Sequence, residues 1–124
     1  MILSIKAQQL LNQLKKVQNL AQASKWQRFV HHPVKYLFAL GYRTVWYKIF
    51  RKEHRVAADL FFGKRVHLLL PSATDLYLTG GKTHTSEIRL ARFFIRNLHP
   101  GQSVLDIGAH YGYFTLLASE LLSG

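Results

Sequence analysis

The sequence predicts an α/β protein in which N-terminal helices and a small β meander lead into the first strand and helix of an open parallel sheet. Three observations predict it. First, the run Val104-Leu105-Asp106-Ile107 has the branched apolar character of a strand covered on both faces. It is followed by Gly108, Gly112 and the helix-forming stretch Phe114-Thr115-Leu116-Leu117-Ala118. Second, the apolar repeat is helical before residue 54 and changes to short β-type runs after it. Third, charge divides at the same place. Residues 1–56 carry eleven Lys and Arg against a single acid, Glu53, and so hold nearly all of the net charge of +11. The reading is a basic helical region over residues 1–54 and the start of the α/β domain over residues 55–124.

Taken in order, residues 2–24 place Leu3, Ala7, Leu10, Leu14, Val17 and Ala21 at alternating steps of four and three. That is a heptad seam about three repeats long. It suits a helix packed on its own domain, a homo-oligomer contact, or a helix lying on a membrane surface. Lys25 to His32 reads as a short polar link anchored by Trp26 and Phe29. Pro33 suits the first turn of a helix over residues 34–52. That helix is apolar almost all round, which predicts burial, although its aromatic residues mixed with Lys and Arg also suit a membrane interface. Gly41 marks a bend or a close contact within it.

Val56 to Phe62 and Val66 to Leu70 are strand-like runs joined through Gly63-Lys64, a hairpin signal. Pro71-Ser72 stops the second run. Asp75 to Thr79 reads as a third short strand, broken by Gly80-Gly81. Thr83 or Thr85 then caps a helix running to about Leu98, with Glu87 in its first turn. Ile88, Ala91, Ile95 and Leu98 form its apolar face, widened by Leu90 and Phe94. Arg89, Arg92 and Arg96 form another face, read as solvated. His99-Pro100-Gly101 closes the helix, and the core strand begins at Ser103.

Composition excludes several function classes. With no cysteine there are no disulfides and no thiolate metal sites. The histidines have no ligand-like spacing. The longest uncharged run in the most apolar region, Tyr36 to Tyr42, is far shorter than the roughly 20 residues that span a bilayer. The N-terminal stretch lacks the continuous apolar core of a secretory signal, so no leader is expected, and the expected location is cytoplasmic. The basic N-terminal half predicts either a solvated face or an anionic partner: a membrane surface through residues 1–56 ranks first and nucleic acid last.

The chemistry-bearing stretch is Asp106 to Gly112. Glycine admits a ligand close to the backbone, and the following helix N-terminus supplies N–H donors and partial positive charge. The spacing D-x-G-x-x-x-G is not a dinucleotide fingerprint, because His110 stands at the second glycine. Nor is it a P-loop, because no Gly-Lys-Ser/Thr follows. Asp106 suits either a ligand ammonium or the backbone N–H groups of its own turn.

The run from Val104 to Phe114 resembles motif I of Rossmann-like S-adenosylmethionine-dependent methyltransferases. More narrowly it resembles the FkbM family, whose version reads Asp-x-Gly-Ala-Asn/His-x-Gly followed by aromatic residues. Phe62-Gly63 with Val66 to Pro71, then Glu87 to Phe94, then Pro100-Gly101 follow the order of that family's lead-in, so the resemblance covers roughly residues 55–124. It implies S-adenosylmethionine as cofactor, with Asp106 and Gly108 lining its amino-acid end. It places Ala109, His110, Tyr111 and Gly112 in the same loop and gives Glu87 a weaker role on the preceding helix. The implied reaction is methyl transfer to a hydroxyl of a sugar or small-molecule acceptor, with no catalytic base assigned. The family's next strand ends in a ribose-binding acid about 20 residues past the glycines. Only residues 113–124 follow them here, so the expectation is an N-terminal portion truncated after motif I and inactive alone. The alternatives are a basic helical module that binds a membrane or polyanion without catalysis, and a non-catalytic partner that completes its sheet with another chain.

Overall fold

The computed structural model of the chain describes residues 2–46, 48 and 54–123. It is mixed α/β, with six α-helices and one two-stranded antiparallel sheet among the described residues. Helix α1 spans Ile5–Gln22, and the Ser4 hydroxyl accepts from the Ala7 N–H at 3.1 Å to cap it. The heptad seam is turned inward. Ala7, Leu10, Leu14 and Val17 are buried, and α1 packs on the long helix that precedes the glycine turn. The last carbonyls of α1 are satisfied from outside: the Arg28 guanidinium donates to the carbonyls of Leu20 and Ala21.

The expected polar link at residues 25–32 is a helix, α2 (Lys25–His31). Ser24 and Gln27 form a reciprocal capping box that starts it. Phe29 anchors it edge-on to Tyr36 at 6.0 Å between ring centres, whereas Trp26 stacks on Phe29 and stays 71% exposed. Helix α3 (Pro33–Gly41) begins at Pro33 as expected, but regular α-helix ends at Gly41 and passes into a π-helical turn over Tyr42–Trp46. The rest of the helix expected to residue 52 lies largely outside the described residues. The expected burial is also corrected: among the described residues of α3 and of the turn up to Val45, Ala39 and Tyr42 are the buried ones, because one narrow side meets the rest of the chain.

Strands β1 (His54–Asp59) and β2 (Arg65–Leu70) pair antiparallel, from His54 opposite Leu70 to Asp59 opposite Arg65. The first strand ends three residues earlier than expected. Leu60 and Phe62 leave the ladder and turn into the core, while the Leu60 N–H donates to the Lys64 carbonyl at 2.7 Å to close the loop. The expected third strand is instead a short helix, α4 (Thr74–Thr79). The spacing that matters there is three: Ala73 and Leu76 are both buried on one side. Thr79 Oγ1 donates back to the Asp75 carbonyl at 2.8 Å, and Gly80 ends the helix in the left-handed conformation.

Helix α5 (Thr85–Asn97) buries Ile88, Ala91 and Ile95, with Phe94 and Leu98 half-buried and Leu90 exposed. Neither Thr83 nor Thr85 caps it. His84 holds the cap position without a side-chain capping bond, and Thr83 Oγ1 donates instead to Asp75 Oδ2 at 2.9 Å. One arginine of the expected solvated face is engaged, since Arg92 donates to Gln18 of α1 at 2.9 Å. The core strand expected from Ser103 is not formed. Residues 103–107 are irregular, with Leu105 84% and Ile107 87% exposed. A strand exists only through its ladder, and among the described residues no strand lies beside this run. Helix α6 (Tyr113–Leu122) follows.

One apolar cluster joins these elements. Ala7, Leu10 and Leu14 from the N-terminal region meet Leu68 of β2, Ile88, Ala91 and Ile95 of α5, and Tyr113, Leu117 and Leu121 of α6. At its edge Glu120 binds two lysines, Lys6 at 2.9 Å and Lys64 at 3.2 Å, and Lys6 also donates to the Glu120 carbonyl. The Lys6 hydrogen bond chiefly, with help from Lys64 and against partial burial, holds the Glu120 carboxyl below its ordinary value of 4.5. A folded-state pKa that is lowered gives stability present above 4.5 and lost as the pH falls through the folded value. Glu120→Gln is therefore expected to lose about 1 kcal/mol at neutral pH. Urea titrations of both proteins should show that difference shrinking as the pH falls below 4.5.

Candidate functional site

The stretch from Asp106 to Gly112 folds as a tight turn, and its backbone explains its residue types. Gly108 (φ 76°), His110 (φ 54°) and Gly112 (φ 76°) all take positive φ. Two of these positions are glycine, and the third is histidine, one of the few side chains enriched in that region. The Gly112 N–H donates to the Ala109 carbonyl at 2.8 Å to close the turn, and the Leu116 N–H donates to the Gly112 carbonyl to start α6. Asp106 is held here by a side chain rather than by the backbone: Thr115 Oγ1, in the first turn of α6, donates to its Oδ2 at 2.7 Å. A carboxylate at a helix N-terminus is favoured by the helix dipole.

Beside the turn is an open cleft of about 380 Å³, within the roughly 300–1,000 Å³ range of small-molecule sites. Three expected site residues, Glu87, His110 and Tyr111, line it. Asp106, Gly108, Ala109 and Gly112 belong to the turn but do not line the cleft. The opposite wall comes from residues that sequence reasoning left out: Ser72, Asp75, Lys82, Thr83 and His84. Their only sequence signal is position, on either side of Gly80-Gly81. Tyr111 Oη and Ser72 Oγ share a hydrogen bond at 2.9 Å that joins the two walls. Glu87 is paired with Lys82 at 2.8 Å, and the Lys82 ammonium also lies over the Phe114 ring. A second hollow, of about 350 Å³, lies between the start of α1 and the end of α5. Leu3, Ala7, Ile95, Leu98 and Leu121 make it mainly apolar, and its titratable lining residues, Lys6 and His99, are joined by no acid.

Behind the cleft, Tyr113 is 2% exposed and its hydroxyl has no hydrogen-bond partner among the described groups. Burial raises its pKa above the ordinary 10.0. The Lys82 backbone amide opposes this without reaching hydrogen-bonding geometry, and the Glu87 carboxylate adds to it. A raised folded-state pKa means that stability is intact below 10.0 and lost as the pH rises beyond it. Tyr113→Phe removes an unpaired buried hydroxyl and is expected to gain about 1 kcal/mol at neutral pH. In urea titrations repeated near pH 11, above the ordinary tyrosine pKa, the variant should lose less stability than the parent chain.

Comparison of the chain with protein-family models, with characterised proteins and with solved structures gave no match.

Proposed function

We propose that residues 55–124 are the opening part of an S-adenosylmethionine-dependent methyltransferase domain of the FkbM type, in which the turn from Asp106 to Gly112 receives the methionine end of the cofactor. The observation that carries this reading is the turn itself. Three positive-φ positions fold the chain back on itself, so that the Asp106 carboxylate meets Thr115 in the first turn of α6. That donor set suits an amino-acid headgroup, with Asp106 for the ammonium and the first N–H groups of α6 for the carboxylate. His110 in the left-handed region also gives a physical reason why the resembling motif takes Asn or His at this position. The apolar segment at 104–107, exposed and without a ladder, has the character of a strand meant for the middle of a parallel Rossmann-like sheet.

When bound, S-adenosylmethionine supplies an electrophilic methyl group on a sulfonium. In this reading Asp106 orients the donor, Thr115 holds Asp106, and Glu87 with Lys82 sets the charge of the neighbouring cleft. The acceptor class is a hydroxyl on a sugar or small molecule. Adenosine-binding groups are not among the residues assigned, so this chain's affinity is expected to be weak and confined to the methionine end.

The test is a proton–nitrogen NMR titration of the chain with S-adenosylmethionine, methionine and adenosine, each to about 10 mM, the weak-binding range. The amides of residues 108–115 should move with the first two and not with adenosine. Asp106→Ala should weaken the response at least tenfold, the size of one charged hydrogen bond. Unmoved amides, or equal movement with adenosine, would overturn the proposal.

A further inference from the structure

A helix as apolar as α3 is ordinarily buried, yet here it faces outward. Val34 is 79% exposed, and Leu37, Phe38, Leu40 and, in the following π-helical turn, Val45 are also exposed. Val34, Leu37, Phe38 and Gly41 recur at steps of three and four and so share one side of the helix. Leu37, Phe38, Gly41, Tyr42, Val45 and His54 enclose an apolar groove of about 500 Å³. Trp26 and Val30, one turn apart on α2, are exposed as well.

Charge decides what fits this surface. Residues 25–48 contain five Lys and Arg and no Asp or Glu. Two of the five are engaged inside the chain: Arg28 on the carbonyls of α1, and Lys35 over the Tyr77 ring. Lys25, Arg43 and Lys48 are exposed. Apolar and aromatic side chains flanked by cations, with no acid among them, match an anionic phospholipid surface, where apolar groups enter the acyl boundary and cations meet headgroup phosphates. No described helix is long and apolar enough to cross a bilayer, so the geometry is that of a segment lying on one.

We propose that α2, α3, the π-helical turn and Lys48 just beyond it form a peripheral docking surface for anionic bilayers, with Val34, Leu37 and Phe38 entering the lipid and Lys25, Arg43 and Lys48 pairing with phosphates. The surface uses no residue of the glycine turn or its cleft, so it stands or falls separately from the methyl-donor reading. The test is sedimentation of the full chain with vesicles of phosphatidylcholine alone or containing about 30% phosphatidylserine. Both tryptophans, Trp26 and Trp46, lie in this stretch, so fluorescence of the same samples reports insertion as a blue shift. Binding should be at least tenfold stronger to the anionic vesicles and should weaken when sodium chloride rises from about 0.1 to 0.5 M. The double variant Val34→Glu/Leu37→Glu should lose binding with unchanged far-ultraviolet circular dichroism, because both side chains are exposed. Lys25→Glu/Arg43→Glu should lose the preference for anionic lipid. Equal binding to both vesicles, or none, overturns the proposal. So does a dimer seen by light scattering that Val34→Glu/Leu37→Glu dissolves, which would assign the surface to a second copy of the chain.

Discussion

Leu117→Ala is expected to remove about 3 kcal/mol of stability, within the range measured for buried leucines. Leu117 is 0% exposed and belongs to the apolar cluster that joins α1, β2, α5 and α6. The loss has two parts: the transfer energy of the deleted methyl groups and the cavity left among neighbours from four elements, which cannot all move inward together. Small domains have only about 5–15 kcal/mol in total, so a fall in melting temperature of roughly 10 °C should be visible by calorimetry. Leu90→Ala is the matched control. Leu90 lies on α5 but is exposed, and its replacement should change stability by no more than about 0.5 kcal/mol.

Gly80→Ala is expected to cost roughly 2–3 kcal/mol, about half from backbone conformation and half from contact. Gly80 has φ +73°, and a Cβ there would stand 2.9 Å from the Asp59 carbonyl oxygen. That oxygen is backbone at the end of β1, and Gly80's own carbonyl accepts from the Phe61 N–H at 2.8 Å. Relief would therefore break the bond tying α4 to the hairpin. Gly63→Ala separates the two parts. Gly63 has φ +83° but nothing within 4 Å of an added Cβ, so only the conformational cost of about 1 kcal/mol should appear. Urea midpoints of the two variants check this, and equal losses would remove the contact from the explanation.

The sequence made some elements legible and hid others for identifiable reasons. The seam of α1 and the apolar face of α5 were readable because helical periodicity reports a buried stripe directly. The hairpin was readable because Gly63-Lys64 separates two β-type runs. Helix α2 was hidden although Ser24-x-x-Gln27 carries a capping signature, because Trp26, Phe29 and Val30 make an apolar repeat barely one turn long, too short for periodicity to report. Helix α4 was hidden because Leu76 and Leu78 fit alternation as well as a helical turn, and only packing shows that Leu76 is the one buried. The run at 104–107 has strand composition, but pairing depends on residues far away in sequence. In α3, apolar composition was mistaken for burial. The glycine turn was legible from spacing alone, since positive φ leaves its mark on residue type. The far wall of the cleft was not, because Ser72, Asp75 and Lys82 reach it through the placement of α4 rather than through any local pattern.

The ion pair between Lys6 and Glu120 spans 114 positions, and that separation fixes an order of events during synthesis. Among the described helices α1 leaves the ribosome first, yet the helix that packs most closely on it is α5, and the cluster holding its seam is completed by side chains of α6. At roughly 5–20 residues per second, its leucines wait many seconds for their partners. Among the described elements, the first helix to be made is thus one of the last to be locked in place, and in the meantime its uncovered stripe is a surface for a chaperone to hold.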